Sequence, residues 1–101
     1  MTCADKEEAR HIGQELVRER LAACVNLFPG VESFFHWEGR LDQAAETVMV
    51  VKTVKEKVPE VIAAIRARHS YSLPAILVLP VVGGNPAFLE WVAGEVSGCN
   101  R

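Results

Sequence analysis

The chain commits to a helix almost at its first residue. Asp5 followed three residues later by Glu8 is an Asp-x-x-Glu capping box, in which the short acid accepts from a first-turn amide while the Glu reaches back. Ala9, Ile12, Leu16 and Val17 then recur at helical spacing, with Glu7, Arg10, Gln14, Arg18 and Glu19 on the other side, predicting an amphipathic helix over about 6–22. Gly13 lies mid-helix, where it costs stability relative to Ala but permits close approach. Such a helix needs a sheet beneath it, yet Met1 to Ala4 are all that precede the cap.

The rest of the chain shows what the sheet must be. Cys24–Trp37 is β-like, bent or broken at Pro29-Gly30, and Gly39-Arg40 marks a turn. Glu46–Thr53, with Val48-Met49-Val50-Val51 at its centre, predicts a partner strand and hence a hairpin. Val58, Val61, Ile62 and Ile65 predict a helix over about 57–68, with Pro59 in the first turn, where no amide is missed. Ala75–Val82 reads as an apolar central strand ended by Gly83-Gly84, and Asn85-Pro86 opens a last helix carrying Leu89, Val92 and Val96.

The resulting order, α-β-β-α-β-α, lacks one strand. Crossovers join neighbouring parallel strands, and a strand before the first helix would complete β-α-β-β-α-β, the ferredoxin-like split. The expected class is therefore α+β, a ferredoxin-like sandwich with an extra C-terminal helix. Met1-Thr2-Cys3 is expected to be the end of a short or incomplete first strand, with the natural chain starting some residues earlier.

With 101 residues, half of them apolar, the chain is expected to be one domain over 1–101. A net charge of −2 with interleaved signs argues against binding nucleic acid or anionic lipid. Cys3, Cys24 and Cys99 are odd in number and widely spaced, so they form neither a disulfide framework nor a zinc pattern, and a reducing compartment follows. The start carries no secretory pattern and no apolar run nears the roughly 20 residues that span a bilayer, so the expected location is cytoplasmic, without membrane insertion.

Several residues have two readings. His69 is a candidate soft-metal ligand, joined by a thiolate from Cys3 or Cys24 in a set that suits copper or zinc; alternatively it caps the preceding helix. Cys24 starts an apolar strand and reads first as a small hydrophobe, whereas Cys3, beside a helix start, is the better candidate for a reactive or ligating thiol. Cys99 is expected to be exposed and incidental, and His11 and His36 solvated. Phe34, Phe35 and Trp37 lie on a hairpin that a lone small domain cannot cover, which points to an oligomer interface. Lys52 and Tyr71 are candidates for a ligand cleft between subunits, or else a snorkelling lysine and a surface phenol. Asp42 and Glu46 read as a solvated rim. No Ser/His/Asp, Cys/His, P-loop or HExxH constellation is present in adjacent motifs, so an enzyme is the least favoured class.

Taken in order, Thr2-Cys3-Ala4-Asp5-Lys6-Glu7-Glu8-Ala9, Glu19 through Leu27, Trp37-Glu38-Gly39, Val51-Lys52-Thr53, His69-Ser70-Tyr71, Pro74-Ala75-Ile76, Leu79-Pro80 and Phe88-Leu89-Glu90-Trp91 resemble the CutA family of divalent-cation tolerance proteins. The resemblance implies a ferredoxin-like subunit whose long hairpin reaches into neighbours to form a homotrimer, as in P-II signalling proteins. It also implies tolerance of copper and other divalent metals, with no catalytic reaction. An alternative within the same resemblance is a P-II-like regulatory or scaffold trimer, binding a small ligand or partner at the intersubunit cleft. The chain departs from the family pattern at Ser70, Ser72 and Ala75, where Pro, Glu and Glu are usual, and at Arg68, where some members carry a second His. Fewer carboxylates around His69 imply weaker metal or cleft binding.

Overall fold

The computed structural model describes residues 1–97 as an α+β fold. Strand β1 (Thr2–Cys3) is followed by helix α1 (Lys6–Arg18), the hairpin strands β2 (Cys24–Trp37) and β3 (Arg40–Lys52), a 3₁₀ turn (Lys55–Lys57), and helices α2 (Val58–Arg68) and α3 (Pro86–Ser97). The sheet order is β1-β3-β2 with both pairings antiparallel, so β1 and β2 run parallel with β3 between them. The short first strand read from Met1-Thr2-Cys3 is present, with Cys3 opposite Thr47. The expectation that Cys99 is exposed lies outside the described residues.

Local chemistry accounts for most boundaries. Asp5 caps α1 by accepting from the Glu8 amide at 2.8 Å, and Glu8 returns an oxygen to the Ala4 amide at 3.0 Å, a capping box reaching one residue further back than usual. The helix ends four residues before the expected position. Arg20 adopts φ 63, and the Arg20 and Leu21 amides fold back to the Val17 and Leu16 carbonyls in a Schellman pattern. A left-handed non-glycine is strained, and the Arg20 guanidinium offsets this by holding both the backbone oxygen and the carboxylate of Glu95. At the hairpin tip Glu38 and Gly39 both have positive φ, the two-residue turn whose twist matches that of paired strands.

β3 begins six residues before the expected Glu46. Apart from Leu41, Arg40 to Ala45 are polar or small and carry little strand preference of their own, but each pairs in register with the aromatic end of β2. The register shifts between Phe28 and Val31, where Pro29 donates no amide and Gly30 takes φ 80. Fourteen residues at about 3.3 Å each make β2 roughly 46 Å long, which accounts for the molecule's 49 Å longest extent.

The main core joins one face of the sheet to two helices. Cys3, Ala9, Ile12, Leu16, Met49, Val61 and Ile65 are buried together, with Leu21 and Ala22 closing one end. A smaller cluster of Ala23, Val92 and Val96 seats α3.

The expected central strand over Ala75–Val82 is absent from the fold of the single chain. Residues 69–85 contain neither helix nor strand, and Leu77, Leu79, Val81 and Val82 are largely exposed. The apolar run satisfies the composition of a buried strand but pairs with neither edge of the sheet, and β1, the parallel neighbour a first crossover would offer it, is only two residues long. Ile76 alone among these residues packs against the main core.

Candidate metal centre

Three elements deliver one side chain each to the same point. Cys3 ends β1 with its side chain turned into the core and fully buried. Glu8 stands in the first turn of α1, held there by the capping box. His69 terminates α2 by turning extended (φ −81, ψ 142) while its amide still reaches the Ile65 carbonyl. The result is a thiol, a carboxylate oxygen and an imidazole nitrogen all within 4.8 Å of one another.

The charges in this group are set by its surroundings. Burial pushes the Cys3 thiol up to about 11, and the carboxylates of Glu8, Asp5 and Glu46 push the same way. The helix start does not make Cys3 a thiolate in the resting protein. Burial and the acidic neighbours outweigh the N-terminal ammonium, which pushes the other way, and the thiol stays protonated. For Glu8, burial pushes the pKa up but is outweighed by hydrogen bonds from Ser70 and the Ala4 amide and by His69, so the carboxyl lies below its usual range. It accepts from the Ser70 amide at 2.8 Å and so ties the start of α1 to the chain leaving α2.

Both nitrogens of His69 are engaged. Nδ1 accepts from the Tyr71 amide at 3.0 Å, which assigns the proton to Nε2, and Nε2 donates to the Thr2 carbonyl at 2.7 Å. The tilted Tyr71 ring lies 4.9 Å from the imidazole, and its hydroxyl donates to Glu46 Oε2 at 3.0 Å. Burial, then Glu46, push the Tyr71 phenol up to about 12. Glu46 is thus a buried acceptor, not the solvated rim expected of it; only Asp42 of that pair is exposed.

The other candidates lie elsewhere. Cys24 opens β2 opposite Lys52, with its sulfur 3.9 Å from Asn26 Oδ1, and does not belong to the Cys3–Glu8–His69 group. Lys52 places its ammonium 5.6 Å from the Phe88 ring centroid, six residues and roughly 20 Å along β3 from the Glu46 that holds Tyr71. Within one chain, Lys52 and Tyr71 therefore do not share a cleft. Phe34, Phe35 and Trp37 are exposed along the outer hairpin.

Glu8 is the donor that sequence reasoning missed, because its capping role explained it completely. The available signal was its position: a Glu in the third helical position points back toward the strand before the cap, where Cys3 stands. Sulfur, oxygen and nitrogen donors together fit a soft or borderline divalent cation with three protein ligands and one open position. Ligands around a tetrahedral ion at about 2.0–2.3 Å lie roughly 3.5 Å apart, so a contraction on the order of 1 Å closes the set.

Known proteins share both sequence and fold with this chain. The profile of the CutA1 divalent ion tolerance protein family matches residues 1–95. The divalent-cation tolerance protein CutA of Archaeoglobus fulgidus is 45% identical over 92 residues, covering 91% of this chain and 89% of that protein. The Thermus thermophilus protein of the same name is 39% identical with the same coverage. Mouse protein CutA is 38% identical, and the matched residues span about half (52%) of its length. Among solved structures, CutA from A. fulgidus superposes with a TM-score of 0.92 at 44% identity, covering 94% of this chain and 92% of that one. CutA1 from T. thermophilus gives 0.91 at 38%, covering 93% and 91%. The chain belongs to the CutA1 family of divalent ion tolerance proteins.

Proposed function

We propose that this chain serves divalent-cation tolerance by binding a soft or borderline divalent cation, copper among them, through Cys3, Glu8 and His69. The observation that carries this reading is the convergence of the three donor types within 4.8 Å from three separate elements. The bound ion supplies the positive charge that offsets loss of the Cys3 proton. Because that proton is held strongly, binding is weaker than at a preformed thiolate site and strengthens as pH rises. Titrating copper and zinc against the protein and its Cys3→Ser and His69→Ala variants tests this, and equal affinities for all three proteins would remove both residues as ligands.

The working unit in this reading is a homotrimer. Its support is the apolar surface one chain leaves uncovered: Phe34, Phe35 and Trp37 on the hairpin and Leu77 to Val82 beyond α2. On assembly the 75–82 run takes a strand position, and a ferredoxin-like sheet is completed around the β1-β3-β2 core. The same surface favours a second reading, a P-II-like scaffold whose cleft joins Lys52 of one subunit to Tyr71 of another. Native mass measurement with and without copper separates the two, since the scaffold reading expects three chains and no bound ion. The free Cys3 and Cys24 fit a reducing, cytoplasmic location. No helix among the described residues is long and apolar enough to cross a membrane.

A further inference from the structure

We infer that cation binding at His69 and attachment of the Tyr71 amide are mutually exclusive, so that metal occupancy releases one backbone tie at the start of the 70–85 segment. This rests on the reading of His69 as a ligand given above, and concerns how that site is coupled to the rest of the chain. A neutral imidazole has one N–H and one lone pair, and here both are used. Nδ1 spends its lone pair on the Tyr71 amide and Nε2 spends its proton on the Thr2 carbonyl.

A cation has two ways in. Bound at Nδ1, it takes the lone pair that the Tyr71 amide uses. Bound at Nε2, it requires the ring proton to move to Nδ1, where a donor then faces the Tyr71 donor, and the Thr2 carbonyl loses its partner as well. An imidazolate would keep Nδ1 as an acceptor, but it places a second full negative charge beside Glu8. Either neutral route therefore releases the Tyr71 amide.

The neighbouring tie behaves differently. Each Glu8 oxygen has two lone pairs, so Glu8 can ligate a cation and still accept from Ser70. The loosening thus begins at Tyr71 and not at Ser70. Beyond Tyr71 the chain runs without helix or strand to Asn85 and carries the exposed Leu77, Leu79, Val81 and Val82. Metal occupancy and the attachment of the Tyr71 amide are two readouts of one imidazole, while the Tyr71 hydroxyl on Glu46 and Ile76 on the core still hold the stretch; by linkage, whatever strengthens the Tyr71 amide bond weakens cation binding.

The test is amide hydrogen exchange by NMR on the intact ¹⁵N-labelled protein, with and without saturating zinc, recording the His69 ring nitrogens in the same samples. The expected result is a ligation shift at one His69 nitrogen, exchange at the Tyr71 amide faster by tenfold or more, and Ser70 exchange within about twofold of its starting value. A His69 ligation shift with unchanged Tyr71 protection overturns the coupling and leaves the metal site standing. Zinc that leaves the His69 nitrogens unshifted overturns the proposed site, and the coupling with it.

Discussion

His69 Nε2 lies 2.7 Å from the carbonyl oxygen of Thr2, so the residue that ends α2 is bonded to the backbone of the two-residue strand β1. Such a short strand has little pairing of its own, and the imidazole adds a side-chain bond to its backbone. Replacing His69 by Ala leaves the Thr2 carbonyl and the Tyr71 amide without these partners. The expected loss is about 1–3 kcal/mol, read as a lower urea midpoint with unchanged slope at fixed protein concentration.

Glu8 makes stability sensitive to acid. Its folded pKa lies below its ordinary value, so the stability it contributes is present above the ordinary carboxylate range and is lost as pH falls through the depressed value. Glu8→Gln removes that part of the acid slope and turns an amide donor toward the Ala4 or Ser70 amide. Melting curves from pH 7 down to 3 should fall less steeply for the variant, from a lower starting point; parallel curves would contradict this.

The alkaline side carries the opposite sign. Cys3 and Tyr71 have folded pKa values raised to about 11 and about 12, so the stability they contribute is intact below the ordinary thiol and phenol values. It is lost as pH rises toward the folded ones. Cys3→Ala, measured against the parent between pH 8 and 11, should show a shallower decline across the upper half of that range.

Gly13 is a packing position. A Cβ there would lie 3.0 Å from Val25 Cγ1 and 3.4 Å from the Met49 sulfur. Val25 is β-branched and held in a strand, so it yields little. Gly13→Ala gains up to about 1 kcal/mol of helix preference but costs about 1–3 kcal/mol in overpacking, for an expected net loss near 1 kcal/mol in thermal or urea unfolding.

Leu79 separates chain stability from assembly. Its side chain is 83% exposed in the single chain, so Leu79→Asp should leave the subunit's own fold within about 0.5 kcal/mol. If residues 75–82 are covered by a second copy, sedimentation of the variant should shift from trimer toward monomer. An unchanged trimer would place the interface elsewhere.

Elements governed by neighbours in sequence were legible. Asp5 and Glu8 cap α1, Pro59 lies in the first turn of α2, and Gly39 turns the hairpin, because each acts within a few residues of itself. Elements governed by pairing were not. Arg40–Ala45 become strand only against β2, and Ala75–Val82, apolar enough for a buried strand, pair with neither edge of the sheet in the single chain.

The site divides in the same way. Sequence alone determined that His69 ends a helix, that Cys3 precedes one, and that both are donors suited to a soft cation. Only the tertiary structure decided that Glu8 joins them, that Cys24 and Lys52 do not, and that both nitrogens of His69 already have partners. Hydrogen bonding within a turn is short-range and can be read from spacing. The meeting of residues 3, 8 and 69 is set by how α1 and α2 pack on one sheet, through burial that carries no local signature.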